Sequence, residues 1–189
     1  MAYDTPASPA IINGLNTDDV KALIAAVEVD SAAGQTSWKV RTEWRGRTHS
    51  RSYIDGFNFG GEFVERKFTL DIDEPEQVGG TNRFANPQEY LISALNACMT
   101  VGYVALCSLH GIKLDSIEIE TTGDIDIRGF LGLSDTVAPG FESLNYTVRI
   151  KGDASPEQFE EIHRAVQATS PNFHNISKAI ALNATLVVE

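Results

Sequence analysis

The chain has 189 residues, of which 42% are hydrophobic and 22% charged, a balance typical of one globular domain with a single core. Its formal net charge of -11 argues against nucleic acid as a partner, because phosphate backbones are bound by clustered Lys and Arg. Two cysteines are too few for a secreted disulfide framework, and the first ten residues lack the pattern of a signal peptide, so we expect a reducing cytoplasm.

We predict a single domain over residues 1–189, in which residues 1–35 form an N-terminal extension with a short helix. That helix begins at the capping residues Thr17, Asp18 and Asp19 and continues to about Val27. Apolar and polar residues then alternate over 38–44 and again over 68–72, which predicts two strands. Residues 73–85 follow as a loop.

The next segment predicts a long helix over residues 86–109. Asn86 and Pro87 start it, Glu89 lies in its first turn, and residues 90–109 carry no charge. This apolar stretch is about as long as a bilayer span. Polar residues interrupt it and no basic cluster flanks it, so we predict the buried central helix of a soluble domain and no membrane partner.

The remaining elements complete an α+β pattern. Ile117 and Ile119 mark one strand, residues 144–150 mark a longer one, and Ser155 caps a helix. Residues 183–188 are predicted to close the chain as a strand. The order of elements indicates an antiparallel sheet packed on a long buried central helix, with residues 123–140 as the longest loop.

The two cysteines face opposite sides of the predicted helix. Cys98 and Cys107 are nine residues apart, so they differ by about 900° of rotation and roughly 13 Å along the axis, too far for a disulfide. We therefore predict that Cys107 is a small core residue. Cys98 lies beyond the first turn, so a thiolate there would need a side-chain cation, and the candidates are Arg45, Arg47 and Arg51. A solvated strand surface is the alternative explanation for these arginines.

Other chemical motifs are missing from the sequence. The four histidines have no short metal-ligand spacing, and we find neither a phosphate-binding loop nor a dinucleotide fingerprint. We therefore expect no metal and no cofactor. No Gly-x-Ser-x-Gly element suggests a hydrolase triad.

Several segments together resemble the OsmC/Ohr family, the osmotically inducible protein C and organic hydroperoxide resistance proteins. They are Arg45-Gly46-Arg47, Asp55-Gly56, the run from Asn86 to Cys98, Gly111-Ile112, and Ser170-Pro171-Asn172-Phe173. The resemblance implies an OsmC-like fold and an intertwined homodimer with active sites at the subunit interface. It further implies that a reactive cysteine reduces organic hydroperoxides or hydrogen peroxide. An arginine and a glutamate would stabilise the thiolate of that cysteine, and a second cysteine would resolve its sulfenic acid. By motif, Cys98 matches the reactive cysteine and Arg47 the arginine.

Two positions depart from the family pattern. Gln88 follows the motif proline and the acid comes one residue later, at Glu89, which rotates the side chain by about 100°. Glu89 is the candidate third catalytic residue, and a first-turn carboxylate favoured by the helix N-terminus is its alternative. Ser170-Pro171 stands where the well-studied peroxidases have Cys-Pro. Ser170 cannot form a disulfide, and we predict that it is a helix-end residue.

These residues lead to two functional hypotheses. The first is a thiol peroxidase of the one-cysteine type, in which Cys98 attacks a hydroperoxide and an external thiol or dithiol reduces the sulfenic acid. The second is a non-catalytic, stress-related binding or redox-sensing protein on the same fold. A different enzyme that uses the same pocket is a third possibility.

Overall fold

A computed structural model describes residues 10–188, and its α+β architecture confirms the predicted fold class. The helices are α1 (Thr17–Val29), α2 (Pro87–Leu109), α3 (Ile127–Phe130), α4 (Pro156–Thr169) and α5 (Pro171–Ser177). The strands are β1 (Ile11–Ile12), β2 (Leu15–Asn16), β3 (Thr36–Trp38), β4 (Arg41–Gly46), β5 (His49–Phe59), β6 (Glu62–Ile72), β7 (Leu114–Thr122) and β8 (Asn145–Gly152). The chain divides into two compact units, with the boundary between Leu91 and Ile92, inside α2. The single domain over residues 1–189 stays a prediction.

The first unit is built on an antiparallel sheet centred on β5. Strands β3 and β4 pair with different parts of β5, and β6 pairs with it as well. The register of β5 and β6 shifts between Ile54 and Gly56. A Cβ at Gly56 would lie 2.5 Å from the Val64 carbonyl oxygen, so only glycine fits where β6 approaches this closely.

The second unit packs helices on the antiparallel pair β7 and β8. Helix α2 contributes a stripe of buried residues at four-residue spacing, which the core shares with two residues of α4. The stripe is Leu95, Met99, Tyr103 and Cys107, and the α4 residues are Ile162 and Val166. A capping box between Ser155 and Gln158 starts α4, as the sequence predicts.

The predicted strands differ from the observed ones in three places. The strand predicted over 38–44 is divided into β3 and β4, and the extent of β5 was not predicted because its polar and charged residues mask the alternation. The strand predicted over 183–188 is wrong, since these residues have no regular secondary structure. A strand needs a paired neighbour, and no described strand pairs with this segment.

Helix α2 is the one described helix that is long and apolar enough to cross a membrane, judged by length and composition. The core helix of a soluble protein passes the same test. Its most apolar 18-residue stretch is 28% buried within the chain, and Leu91 and Val101 are among its exposed residues. Beyond the buried stripe, α2 therefore has an apolar side that the chain itself leaves uncovered.

Candidate active site

Cys98 lies on α2 next to the junction between α4 and α5. Its side chain is half-buried, and its sulfur accepts a hydrogen bond of 3.3 Å from the Ser170 hydroxyl. The two residues are 72 positions apart in the sequence. The fold therefore brings a polar donor to the one cysteine that is not enclosed in the core.

Local structure fixes the position of Ser170. This residue ends α4 and also caps α5, where its side-chain oxygen accepts a hydrogen bond from the Phe173 backbone N–H at 3.3 Å. Asn172 donates to the Ala94 carbonyl oxygen at 2.8 Å and so connects the start of α5 to α2. Ser170 itself is 5% exposed. These contacts hold the hydroxyl against the sulfur and limit the space in which it can rotate.

The contact of Ser170 was not predicted from the sequence. The prediction that Ser170 is a helix-end residue is confirmed, but the side chain also reaches Cys98. The available signal was its place in the Ser-Pro pair that stands where the related peroxidases have Cys-Pro.

Cys107 is enclosed in the core of the second unit. It is fully buried and free, and burial raises the pKa of its thiol. A buried neutral thiol is a poor nucleophile, because the thiolate is the reactive form. The prediction that Cys107 is a structural residue and forms no disulfide with Cys98 is confirmed.

Glu89 forms a reciprocal cap at the start of α2. Its carboxylate accepts a hydrogen bond from the Asn86 backbone N–H at 2.7 Å, and its own N–H donates to the Asn86 side chain at 2.8 Å. Nearby, partial burial together with the charges of Asp73 and Glu89 raises the pKa of Glu74. The cap corresponds to the first-turn alternative for Glu89, and a catalytic role for this residue stays a prediction.

Arg47 occupies the turn between β4 and β5 in a left-handed backbone conformation, with φ of 51°. This conformation is uncommon for a residue with a side chain. The turn is held by the Trp44 indole N–H, which donates to the Arg47 carbonyl oxygen at 2.8 Å. Within residues 10–188, no acidic side chain forms an ion pair with the Arg47 guanidinium. The cation is thus available for a partner.

The sequence-predicted residues are divided between the two units. Arg47 and Glu89 lie in the first, whereas Cys98 and Ser170 lie in the second. Among the described residues, no three His, Cys, Asp or Glu side chains come together as a metal site.

The family model for OsmC-like proteins matches residues 80–185, more than half of the chain. The structure is similar to an OsmC-like protein from Mycoplasma pneumoniae, with a TM-score of 0.58 and 15% identity over 75% of this chain and 87% of that one. It is also similar to an OsmC-like protein of unknown function from Vibrio cholerae, with a TM-score of 0.52 and 13% identity over 72% of this chain and 91% of that one. At these identities, the similarity shows a shared fold. No curated protein sequence matches the chain.

Proposed function

The chain belongs to the OsmC family, and from this membership we propose that it is a cytoplasmic thiol peroxidase that reduces organic hydroperoxides or hydrogen peroxide at Cys98. The observation that carries the proposal is the hydrogen bond from Ser170 to the Cys98 sulfur. It places a donor against the half-buried thiol, at the position that the resolving cysteine takes in the peroxidases that the sequence resembles. Cys107, the other thiol, is buried and neutral.

The reaction that this arrangement supports is a two-electron oxidation of sulfur. The Cys98 thiolate attacks the distal oxygen of the hydroperoxide, the O–O bond breaks, and the leaving alkoxide takes up a proton to become an alcohol. Sulfur is oxidised to sulfenic acid. The Ser170 hydroxyl can donate to the sulfur while it is negatively charged, and a hydrogen bond to an ionised acceptor is stronger than one between neutral groups.

Arg47 is the proposed source of positive charge for the thiolate, and Glu89 the proposed carboxylate. Cys98 lies some three turns into α2, where the helix dipole contributes little, so the charge must come from a side chain. Among residues 10–188 the Arg47 guanidinium has no acidic partner, so it fits this role. In the family that the sequence resembles, this arginine belongs to an active site shared between the two subunits of a homodimer. A homodimer with shared active sites is therefore part of the proposal.

The catalytic cycle is proposed to be of the one-cysteine type. Ser170 cannot form a disulfide, and Cys107 is nine residues away on the same intact helix. The sulfenic acid is therefore reduced from outside. One thiol condenses with it, releasing water and forming a mixed disulfide, and a second thiol then displaces Cys98 and leaves as a disulfide.

The second candidate function is redox sensing, and the same serine favours it. Without a resolving thiol, oxidised Cys98 persists until a reductant arrives, which suits a residue that reports oxidation.

Turnover tests the proposal and separates the two candidates. We expect reduced full-length protein to consume tert-butyl hydroperoxide continuously when dithiothreitol is present in excess. Cys98→Ala should reduce consumption to the rate of dithiothreitol alone, while the control Cys107→Ala should retain activity. A single oxidation of Cys98 without further consumption would indicate a sensor. Activity that survives Cys98→Ala would refute both.

A further inference from the structure

The first unit contains a basic pocket that is unusual in so acidic a chain. The cavity has a volume of about 370 Å³, and the residues that line it include Arg45, Arg47, Arg51 and Arg83 together with His49 and Phe84. The chain has fifteen Lys and Arg residues and a net charge of -11. Four of these cations surround one cavity, so the pocket has a local charge opposite to that of the molecule.

Two of the arginines have acidic side chains beside them. Arg45 pairs with Glu43 at 3.0 Å, and Glu43 also pairs with Arg41. Arg51 donates two hydrogen bonds to Asp71, at 2.8 and 3.1 Å, and His49 Nε2 lies 2.8 Å from the same carboxylate. The hydrogen bonds from Arg51, and then from His49, hold the pKa of Asp71 below its usual range. These pairs keep the pocket wall in place.

Arg47 and Arg83 supply the excess charge. Within residues 10–188, neither guanidinium forms an ion pair with an acidic side chain. Arg47 and Arg83 therefore give the pocket at least two positive charges that have no acidic partner among the described residues. A ligand with two negative charges would balance them.

A buried carboxylate connects the two segments from which these cations extend. Asp73 is 1% exposed and accepts hydrogen bonds from the Thr48 hydroxyl at 2.6 Å and from the Thr81 N–H at 2.8 Å. These bonds, the one from Thr48 first, hold the pKa of Asp73 well below its usual range. Thr48 follows Arg47 in the turn, and Thr81 precedes Arg83 in the loop. The ionised Asp73 therefore brings both cation-bearing segments to the same cavity.

Phe84 gives the pocket an aromatic wall. Its ring centroid is 5.1 Å from that of His49, with the two planes stacked, and the Arg83 guanidinium lies 5.9 Å from the Phe84 ring centroid. The pocket thus combines several cations with one flat apolar surface, and its volume falls in the range of small-molecule sites.

We propose that this pocket binds a small molecule that has a phosphate monoester group. A phosphate monoester has close to two negative charges at pH 7, which match the excess charge of Arg47 and Arg83. Guanidinium groups bind phosphate oxygens through paired N–H donors. The site goes beyond the proposed peroxidase activity because it requires no reaction at Cys98, but it shares Arg47 with the proposed peroxidase site.

Calorimetric titration of the full-length protein with methyl phosphate tests this proposal. We expect one saturable site per chain, weakened by sodium chloride because salt screens the interaction. Arg83→Gln should weaken binding by about tenfold or more, since it removes charged donors. The matched control is Arg149→Gln, which removes the same charge from β8, where Arg149 pairs with Glu118 and Glu120. It should bind as the wild type does.

Three outcomes would overturn the proposal. They are binding of methyl phosphate no tighter than that of chloride, equal weakening by Arg83→Gln and Arg149→Gln, and tighter binding of malonate than of methyl phosphate. The last would assign the pocket to dicarboxylates. Peroxidase turnover does not enter these measurements, so the phosphate site and the proposed activity can fail separately.

Discussion

Ser170 determines the proposed fate of an oxidised Cys98. Its hydroxyl lies 3.3 Å from the sulfur, and a hydroxyl can donate or accept a hydrogen bond but cannot form a disulfide. The serine oxygen also caps α5, which a thiol would do less well. Serine at this position therefore favours the start of α5 and leaves the proposed sulfenic acid of Cys98 without an internal thiol to reduce it.

Restoring a thiol at this position should restore an internal disulfide. In Ser170→Cys, we expect one equivalent of hydroperoxide to yield a disulfide between Cys98 and the introduced thiol, with no lasting sulfenic acid, because the side-chain atoms at the two positions already lie close together. Mass spectrometry of peptides after thiol blocking identifies the bond. Ser170→Ala is the control, and it should accumulate the sulfenic acid. A disulfide absent from Ser170→Cys would show that the junction does not allow the required S–S geometry.

Substitution of Arg47 by glycine should affect stability and activity differently. The effect on stability follows from the left-handed backbone of Arg47. Glycine adopts this conformation without steric cost, so Arg47→Gly should raise the free energy of unfolding by about 1 kcal/mol or leave it unchanged. The same substitution removes the proposed cation, and hydroperoxide reduction should slow by about 10²-fold. Chemical denaturation measures the free energy of unfolding, and a turnover assay measures the rate of hydroperoxide reduction. Arg47→Lys is the control that retains charge, and full activity in Arg47→Gly would exclude Arg47 from the site.

Helices α2 and α4 are joined by a polar contact inside the second unit. The Tyr103 hydroxyl is hydrogen-bonded to His163 Nδ1, and Tyr103 is 1% exposed. Burial is the main cause that raises the pKa of the Tyr103 hydroxyl. The neutral form is therefore the one that the fold accepts.

The burial of the Tyr103 hydroxyl predicts an alkaline limit of stability. The folded pKa of Tyr103 lies above the unfolded value of about 10, so its contribution is complete below that pH and is lost as the pH rises further. Tyr103→Phe should reduce this alkaline loss and lower stability at neutral pH by about 1 kcal/mol, because His163 loses its partner. Thermal unfolding measured over a range of pH gives both the alkaline loss of stability and the stability at neutral pH. Tyr53→Phe is the control, and an alkaline loss equal in wild type and Tyr103→Phe would assign it to other groups.

The three long helices, α1, α2 and α4, could be predicted from the sequence because their signals are local, whereas the short helices α3 and α5 were not predicted. Ser155 and Gln158 form their capping box within four residues, and the uncharged run of α2 is continuous. The segment 183–188 shows the limit, since alternating residues define a strand only when another strand pairs with them. Ser170 shows the same limit of sequence-based prediction for the candidate site. Its contact with Cys98 depends on how the α4–α5 junction meets α2, and no spacing along the sequence encodes that distance.

Taken alone, the chain exposes more large apolar side chains than a monomer ordinarily leaves in contact with water. They include Trp38 and Trp44 of the first sheet, Val101 of α2 and Leu182 and Leu186 near the C-terminus, which are between 63% and 90% exposed. Apolar groups scattered singly are normal on a surface, but these recur in both units. They support the proposed homodimer.

We expect light scattering to give twice the mass of one chain at micromolar concentration. Val101→Glu places a charge on the exposed side of α2 and should shift the protein towards monomer, because burying an unpaired charge is costly. Val29→Glu, the same change at the exposed end of α1, is the control and should remain dimeric. A stable, folded wild-type monomer would contradict both the dimer and the shared active site.

The most direct test of the proposed chemistry is the intact mass of the reduced protein after one equivalent of tert-butyl hydroperoxide. We expect a gain of one oxygen, located at Cys98 by trapping of the sulfenic acid, and no disulfide, because the Ser170 hydroxyl beside the sulfur cannot form one. A loss of two hydrogens mapped to Cys98 and Cys107 would contradict the geometry of α2. An unchanged mass would contradict the assignment of Cys98 as the reactive residue.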